Sequence, residues 1–340
     1  MVKVARPRNH EYGSARADGR HGGGKRRKVV SIEIDTRLGF APGHDSPVPY
    51  MKRTRDYYQA LGHAPYRWAH YAEVPFQPLR KPVSESRVAL ITTAALYDPA
   101  KGEQGPGADY NASAKFYQVY SGVSAVDHDL RISHIAYDRK HSPATDPNAW
   151  FPLPALRRAA ATGRLGALAP RFHGAPTNRS QRHTMEVDAP ELLRLLQEDA
   201  VDAALLVPNC PICHQTCSLV ARHLEARGIS TVVMGCAKDI VEYCGVPRFL
   251  FSDFPLGNGA GLPHNLVSQD ATLELALRVL EMAPAPRTIV QSPQRWPGDP
   301  EWKLDYSNIE RIPPAEVAQL RQEFLHQKDI ARDLRTSRLD

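Results

Sequence analysis

The stretch Val201-Asp202-Ala203-Ala204-Leu205-Leu206-Val207-Pro208-Asn209-Cys210-Pro211-Ile212-Cys213-His214-Gln215-Thr216-Cys217 decides how the chain is read. Its first seven residues are apolar past Asp202, the pattern of a short strand buried on both faces of a parallel sheet. Residues 218–227 carry helical periodicity, and Gly228 supplies a C-cap. Cys210 therefore sits where a strand turns into a helix. Pro211 suits the first helical position, where its missing N–H costs nothing. This spacing predicts Cys210 at the N-cap and Cys213 one turn in.

A helix start offers free N–H groups and the positive end of the helix dipole, and both favour a thiolate. A C-x-x-C pair placed there can close a disulfide and so accept or deliver two electrons. Cys217 follows Cys213 by one helical turn, which makes it a candidate to resolve an oxidised sulfur or to serve as a third metal ligand after Cys210 and Cys213. The remaining cysteines, Cys236 and Cys244, lie close by in sequence. A structural disulfide framework would spread its cysteines, so this clustering points to a cytosolic redox or metal site. Cys244, inside a short helix, reads as core.

Outward from this stretch the chain alternates strands and helices. Strands are expected over 87–95, 131–137, 164–170, 231–236 and 248–252. Helices are expected over 50–61, 153–162, 188–199, 268–282 and 315–334, the last with Val317, Leu320, Phe324 and Ala331 on one face. This is the α/β class: an open parallel sheet with helices on both faces, Rossmann-like, in one lobe or two, with arms at both ends. The expected organisation is a basic tail over 1–46, an aromatic and proline-rich arm over 47–86, a catalytic domain over 87–283 and a C-terminal arm and helix over 284–340. In the arm, Tyr50, Tyr57, Tyr58, Tyr66, Trp68, Tyr71 and Phe76 are expected to pack on the domain or on a second subunit; the sharper alternative is an aromatic box for a cationic substrate.

Open parallel sheets bind ligands beyond the carboxyl ends of their strands. Thr92 and Thr93, Cys210, Cys236 and Asp253 all fall at such ends, which points them to one rim. The loop over 102–111 is glycine-rich and offers N–H groups to a carboxylate or phosphate, but its spacing is that of neither a dinucleotide fingerprint nor a P-loop. The loop over 171–182 gathers His173, Arg179 and Arg182, which suit a proton donor and a bidentate clamp for a carboxylate. It reads equally as a solvated basic loop paired with Glu186 and Asp188. His134, Asp138 and His141 have metal-compatible spacing but read as a polar, hydrogen-bonded loop.

Composition narrows the classes. The chain has 340 residues, 42% of them hydrophobic, and a net charge of +6. No apolar run approaches the length of a membrane helix. Arg6, Arg8, Arg16, Arg20, Lys25, Arg26, Arg27 and Lys28 gather near the N-terminus against Glu11 and Asp18. No apolar segment follows them, so a solvated tail is expected rather than a secretory signal, and nothing later supports a nucleic-acid arm. A cytoplasmic protein without a membrane partner is expected.

The segment 202–213, followed by Gly228-Ile229-Ser230-Thr231-Val232-Val233-Met234-Gly235-Cys236, resembles the selenoprotein B subunits of glycine, sarcosine and betaine reductases. It is also similar to the selenocysteine subunit of D-proline reductase. Arg248-Phe249-Leu250-Phe251-Ser252-Asp253-Phe254-Pro255-Leu256-Gly257-Asn258 fits that family's closing strand and Pro-Leu-Gly turn. The resemblance is good over 202–261, weaker over 87–199, and absent from the first stretch and the C-terminal arm. In the family a selenocysteine-x-x-cysteine pair follows the same strand, so Cys210 matches the selenocysteine and Cys213 its partner. Sulfur at Cys210 is a poorer nucleophile and leaving group than selenium.

Three readings of function stand at this point. The first is a thiol-dependent reductase that cleaves a C–N or other carbon–heteroatom bond, with Cys210 as nucleophile and Cys213 closing the disulfide. The resemblance implies this same class. Its substrate would bear an amine or a carboxylate, and a thioredoxin-like protein or other dithiol reductant would reset the pair. In glycine-type systems a separate pyruvoyl-bearing subunit presents the substrate, and this chain carries no such cleavage signature. The second reading is a cofactor-free racemase or lyase with Cys210 and Cys236 as a two-base pair; the strand-Gly-Cys pattern resembles the aspartate/glutamate racemase group, but Cys213 has no role in it. The third is a metal-centred protein binding zinc or iron, or a scaffold subunit. A homo-oligomer is expected in each case.

Overall fold

The computed structural model describes residues 44–106, 108–178 and 180–336. The strands, in chain order, are β1 Arg87–Thr92, β2 Ala95–Leu96, β3 Tyr120–Val123, β4 Leu130–Arg131, β5 Ala167–Leu168, β6 Arg171–Gly174, β7 Ala203–Val207, β8 Ser230–Gly235, β9 Arg248–Phe251 and β10 Thr288–Gln291. The short strands β2 and β4 pair only with each other. The rest form one sheet in the order β10-β9-β8-β7-β1-β6-β3, with β5 beside β1. All its pairings are parallel except that of β3 with β6. The helices are α1 Tyr50–Ala60, α2 Leu153–Ala161, α3 Gln181–His183, α4 Ala189–Glu198, α5 Pro211–Glu225, α6 Lys238–Cys244, α7 Leu266–Met282, α8 Trp302–Asp305 and α9 Pro314–Thr336.

Both faces of the sheet are covered, as its apolar central strands require. Val88 and Leu90 of β1, with Ala203, Leu205 and Val207 of β7, pack toward α2 and α7. Their neighbours Ala89, Ile91, Ala204 and Leu206 point the other way, into Leu192 and Leu196 of α4, Val220 and Leu224 of α5 and Val241 of α6. Each fully buried Val, Leu or Ile side chain among them contributes about 1.5–3 kcal/mol against exposure. From β1 the chain moves to β6 on one side and then returns to β7 on the other. The strand order thus reverses between β1 and β7, the place where open α/β sheets form a ligand crevice.

Every residue of α5 is buried, including Gln215, Arg222 and Glu225. The cause is the arm over 62–80, which runs along the outer side of this helix. Gln215 accepts from the Ala69 N–H at 2.6 Å and donates to the Tyr66 hydroxyl at 2.8 Å. Arg222 donates to the Glu73 carbonyl and lies over the Tyr71 ring. At the far end Arg248 pairs with Glu225 at 2.7 Å, donates to the Gln77 carbonyl and stacks on Phe76. The arm's rings therefore lie on this domain. The C-terminal helix α9 docks Val317, Leu320 and Phe324 against Tyr58 and Leu61 at the end of α1.

Several boundaries differ from the sequence expectation. The strand expected over 131–137 is only the β4 pair, because Arg139 holds the next residues by donating to the His134, Ile135 and Ala108 carbonyls instead of leaving them to a ladder. Residues 171–174, expected as loop, form β6, with the strand before it confined to Ala167–Leu168. The expected cap at Asp188 is absent: the helix begins at Gln181 under a Ser180 cap and passes through a π turn, Thr184–Asp188, into α4. That wide turn lies immediately before Pro190, whose ring cannot donate into an α-helical ladder. Residues 288–291, expected in an irregular arm, add β10 to the sheet edge.

Candidate functional site

Cys210 adopts extended backbone, φ −139° and ψ 169°, and caps α5. Its Sγ accepts the N–H of Cys213 at 3.2 Å, and Pro211 occupies the first turn. This is the arrangement that the spacing predicted. The cap is fixed from two sides. Thr93, just past the end of β1, accepts the Asn209 N–H on its Oγ1 at 3.1 Å. His214, one turn into α5, shares a 2.7 Å bond between its Nδ1 and the Cys210 carbonyl. Its Nε2 accepts the N–H groups of Cys236 at 2.9 Å and Ala237 at 3.1 Å. Two donors on Nε2 assign the ring's proton to Nδ1, so His214 is a neutral bridge between the ends of β7 and β8. Burial holds it so, pushing its pKa down to about 4.

The two thiols share a buried apolar cluster with Ile212 and Tyr137, against which Tyr66, Trp68, Ile132 and Ala144 pack. Cys210 is 4% exposed and Cys213 0%, so Cys210 is the outer sulfur. Burial acts to raise both thiols, but their partners separate them. For Cys210, burial together with the neighbouring Cys213 pushes the pKa well up. For Cys213, burial is outweighed by hydrogen bonds from Cys210, His134 and Thr177 and by the charge of His134, and its pKa falls well below the usual thiol value. The Thr177 hydroxyl lies 3.4 Å from Cys213 Sγ. These surroundings favour ionisation of the inner sulfur over the outer one.

His134 completes the constellation. Its Nε2 lies 2.7 Å from the Thr93 carbonyl, and its ring also bonds Cys213. The donor atoms of His134, Cys210 and Cys213 lie within 4.8 Å of one another, and all three residues are buried. Asp138 and His141, grouped with His134 by spacing, pair with each other instead, at 3.0 Å. In the sequence, His134 shows metal-compatible spacing with Asp138 and His141 rather than with the cysteines, and Thr177 carries no signal but its position in the loop after β6.

The other sequence candidates disperse. Thr92 accepts the Ala94 N–H and Thr93 the Asn209 N–H, so both hydroxyls brace the rim. Cys217 faces the α4–α5 side of the core, away from the pair. Cys236 lies in the neighbouring cluster with Tyr50, Phe254, Trp302 and Tyr306, where burial pushes its pKa up to about 12; Trp68 packs against both clusters. Asp253 is held by Lys303. His173 points into the sheet face toward α4, its Nδ1 at 2.9 Å from Ser121 Oγ, and burial lowers its pKa to about 4. Arg182 is 84% exposed and paired with Glu186, and Arg179 lies outside the described residues. In the glycine-rich loop, the Gln104 and Gly105 N–H groups are taken by Glu103 of the same loop.

A cleft of about 990 Å³ is lined by Tyr117, Asn178, His183, Asp188, Glu191 and Arg194 among others. Asn178 follows Thr177 directly and donates to Asp188 at 3.3 Å. The wall of this cleft is therefore one residue from the hydroxyl that touches Cys213. No helix of the described residues is long and apolar enough to cross a membrane.

The chain is 31% identical to the D-proline reductase subunit gamma of Acetoanaerobium sticklandii over 222 residues, 64% of this chain and 88% of that subunit. The chain belongs to the selenoprotein B family of reductase subunits. A second member, the glycine reductase complex component B subunit gamma of Symbiobacterium thermophilum, is 22% identical over 202 residues, 57% of this chain and 46% of that subunit. No family model matches the chain, and no solved structure does. In this chain Cys210 stands at the switch point of the sheet.

Proposed function

We propose that this chain is a thiol-dependent reductase whose working couple is the Cys210–Cys213 dithiol and its disulfide, and that it reductively cleaves a carbon–heteroatom bond next to a carbonyl. The observation that carries this reading is the buried C-x-x-C at the start of α5, with Cys210 Sγ on the Cys213 N–H and the inner thiol favoured as thiolate. Family membership, with relatives named as subunits of D-proline and glycine reductases, supports it.

The outer sulfur, Cys210, attacks the substrate carbon as its proton passes to the Cys213–His134 side. A sulfur–carbon bond forms and the carbon–heteroatom bond breaks; the electron pair leaves with the amine or other leaving group, which takes up a proton. Cys213 then attacks Cys210 Sγ. A disulfide forms, and the sulfur–carbon pair returns to carbon as an enolate that is protonated. The substrate carbon gains two electrons and the dithiol loses two. A thioredoxin-like or other dithiol partner restores the thiols.

The test is intact-protein mass spectrometry of metal-free protein, prepared without oxygen and titrated with a mild disulfide oxidant and a dithiol. The expected result is reversible loss of two hydrogens, mapping to Cys210–Cys213. Cys210→Ser should abolish turnover of any substrate found, whereas Cys213→Ser should trap an adduct on Cys210. Full activity in both variants sinks the reading.

A further inference from the structure

We propose that His134, Cys210 and Cys213 form a three-donor site for a thiophilic divalent cation of the zinc class, and that the cation and the disulfide are alternative occupants of the same pocket. This inference stands on the geometry of the three side chains and does not require the reductase reading.

Two thiols and one imidazole, buried and within 4.8 Å of one another, are a donor set suited to a soft or borderline cation. Tetrahedral zinc with ordinary Zn–S and Zn–N bonds separates such donors by about 3.5–3.8 Å. The set therefore closes around an ion with movements of about 1 Å or less, within the reach of side-chain rotation. The supporting bonds are those that orient metal ligands. His134 bonds the Thr93 carbonyl through Nε2 at 2.7 Å, which leaves Nδ1 as its ligand atom. Cys210 Sγ accepts the Cys213 N–H at 3.2 Å. Cys213 Sγ lies 3.4 Å from the Thr177 hydroxyl. Each donor thus has a partner that fixes its direction and leaves a lone pair for an ion.

The charge balance also fits. On binding, two protons go to solvent, one from the Cys210 thiol and one from the hydrogen-bonded Cys213–His134 pair; two metal–sulfur bonds form, and no electrons move. A divalent ion with two thiolates and a neutral imidazole is a neutral unit, which suits the apolar shell of Ile212, Tyr137, Tyr66 and Trp68. Among the described residues, no other histidine, cysteine or carboxylate joins the three. The fourth coordination position therefore belongs to water or a small-molecule donor, the pattern of an open site rather than a closed structural one. Cys217, a third ligand by spacing alone, is not a member, because its side chain belongs to the core on the α4–α5 side of the sheet. Metal binding ties up the lone pairs needed for attack and for disulfide closure, so the ion protects the pair from oxidation and blocks its turnover.

The experiment is an anaerobic Co²⁺ titration of the reduced, metal-free chain, followed by absorption and by bound-metal analysis. The expected result is one ion per chain, with the visible bands of tetrahedral cobalt and a near-ultraviolet sulfur-to-cobalt band. Bound Zn²⁺ should displace it and shield Cys210 and Cys213 from alkylation. His134→Gln keeps an N–H for the Thr93 carbonyl but removes the imidazole, and should weaken binding by at least about tenfold. Cys217→Ser should bind as the unaltered protein does. Absence of stoichiometric uptake overturns the proposal, as does equal affinity in His134→Gln or loss of binding in Cys217→Ser. The disulfide titration above is run without metal, so failure of either reading leaves the other's result distinct.

Discussion

The Nε2–H of His134 donates to the backbone carbonyl of Thr93 at 2.7 Å, and through this bond the end of β1 sets the imidazole that reaches Cys213. The same residue, Thr93, accepts the Asn209 N–H on its hydroxyl. One strand end therefore positions both flanks of the cysteine pair, the turn that carries Cys210 and the ring beside Cys213. A site at the switch point between β1 and β7 is built this way because the crevice there exposes backbone groups of two strand ends that need partners.

Thr93→Val separates these two roles. It keeps the carbonyl and the side-chain shape but removes the acceptor for a buried N–H. The expected cost is about 1–3 kcal/mol of stability, with slower disulfide closure because the turn at Cys210 is loosened. Urea unfolding and the rate of dithiol oxidation measure the two effects. Unchanged values for both would show that the Asn209 bond contributes nothing to the site.

Gly235 is where β8 lets His214 in. A Cβ there would stand 2.5 Å from His214 Nε2 and 2.8 Å from its Cδ2. Gly235→Ala must therefore displace the ring that joins Cys210 to Cys236 and Ala237. A destabilisation of about 2 kcal/mol or more is expected, in the range of overpacking. His214→Ala removes the obstacle as well as the bridge, so the double variant should cost less than the sum of the two single changes. Strict additivity in urea unfolding would contradict this contact.

Much of the site was legible in the sequence. Ala203-Ala204-Leu205-Leu206-Val207 could hardly be anything but a buried strand, and Cys210-Pro211 marks a helix start by chemistry that acts within one turn. What escaped was set by distance along the chain. Thr177 and His134 meet Cys213 only because the loops after β6 and β4 return to the same rim, and no local pattern encodes that. Gln215, Arg222 and Glu225 were equally hidden. Polar residues on a helix normally mark a solvated face, whereas here they hydrogen-bond an extended arm whose backbone has no ladder of its own, Gln215 at Ala69, Arg222 at Glu73 and Glu225 at Gln77. Conversely, His173 and Arg182 were drawn to the site by composition alone, and the strand direction of β6 and the outer face of α3 send them elsewhere.

Gln215 links that arm to the site, since it holds Tyr66 and Ala69 while Tyr66 and Trp68 cover the thiols. Gln215→Ala should cost about 1–3 kcal/mol through the unpaired Ala69 N–H. Its clearer effect is on access: alkylation of Cys210 by iodoacetamide should accelerate several-fold under native conditions, as local opening of the arm becomes easier. The rate is read by peptide mass spectrometry below the unfolding transition. An unaltered rate would mean that the arm does not gate the pocket.

Asp188, in the π turn beside the cleft, gives a pH signature with a defined sign. Burial raises its pKa from 3.8 to about 6, against the opposing effects of His183, 3.5 Å away, and of Asn178. The folded chain therefore binds this proton more tightly than the unfolded chain does. The stabilising contribution is fully present below about pH 4 and is lost as pH rises through about 6, after which it is flat. Asp188→Asn keeps the size and removes the titration, so the difference in unfolding free energy between the unaltered protein and the variant should shift against the unaltered protein as pH rises from 4 to 6. Other buried carboxylates, Glu225 and Asp239, titrate in both proteins and cancel in that difference. Urea unfolding at a series of pH values tests it. A difference that is constant with pH, or that moves in the opposite direction, would place the Asp188 carboxyl in water or in a stronger ion pair with His183.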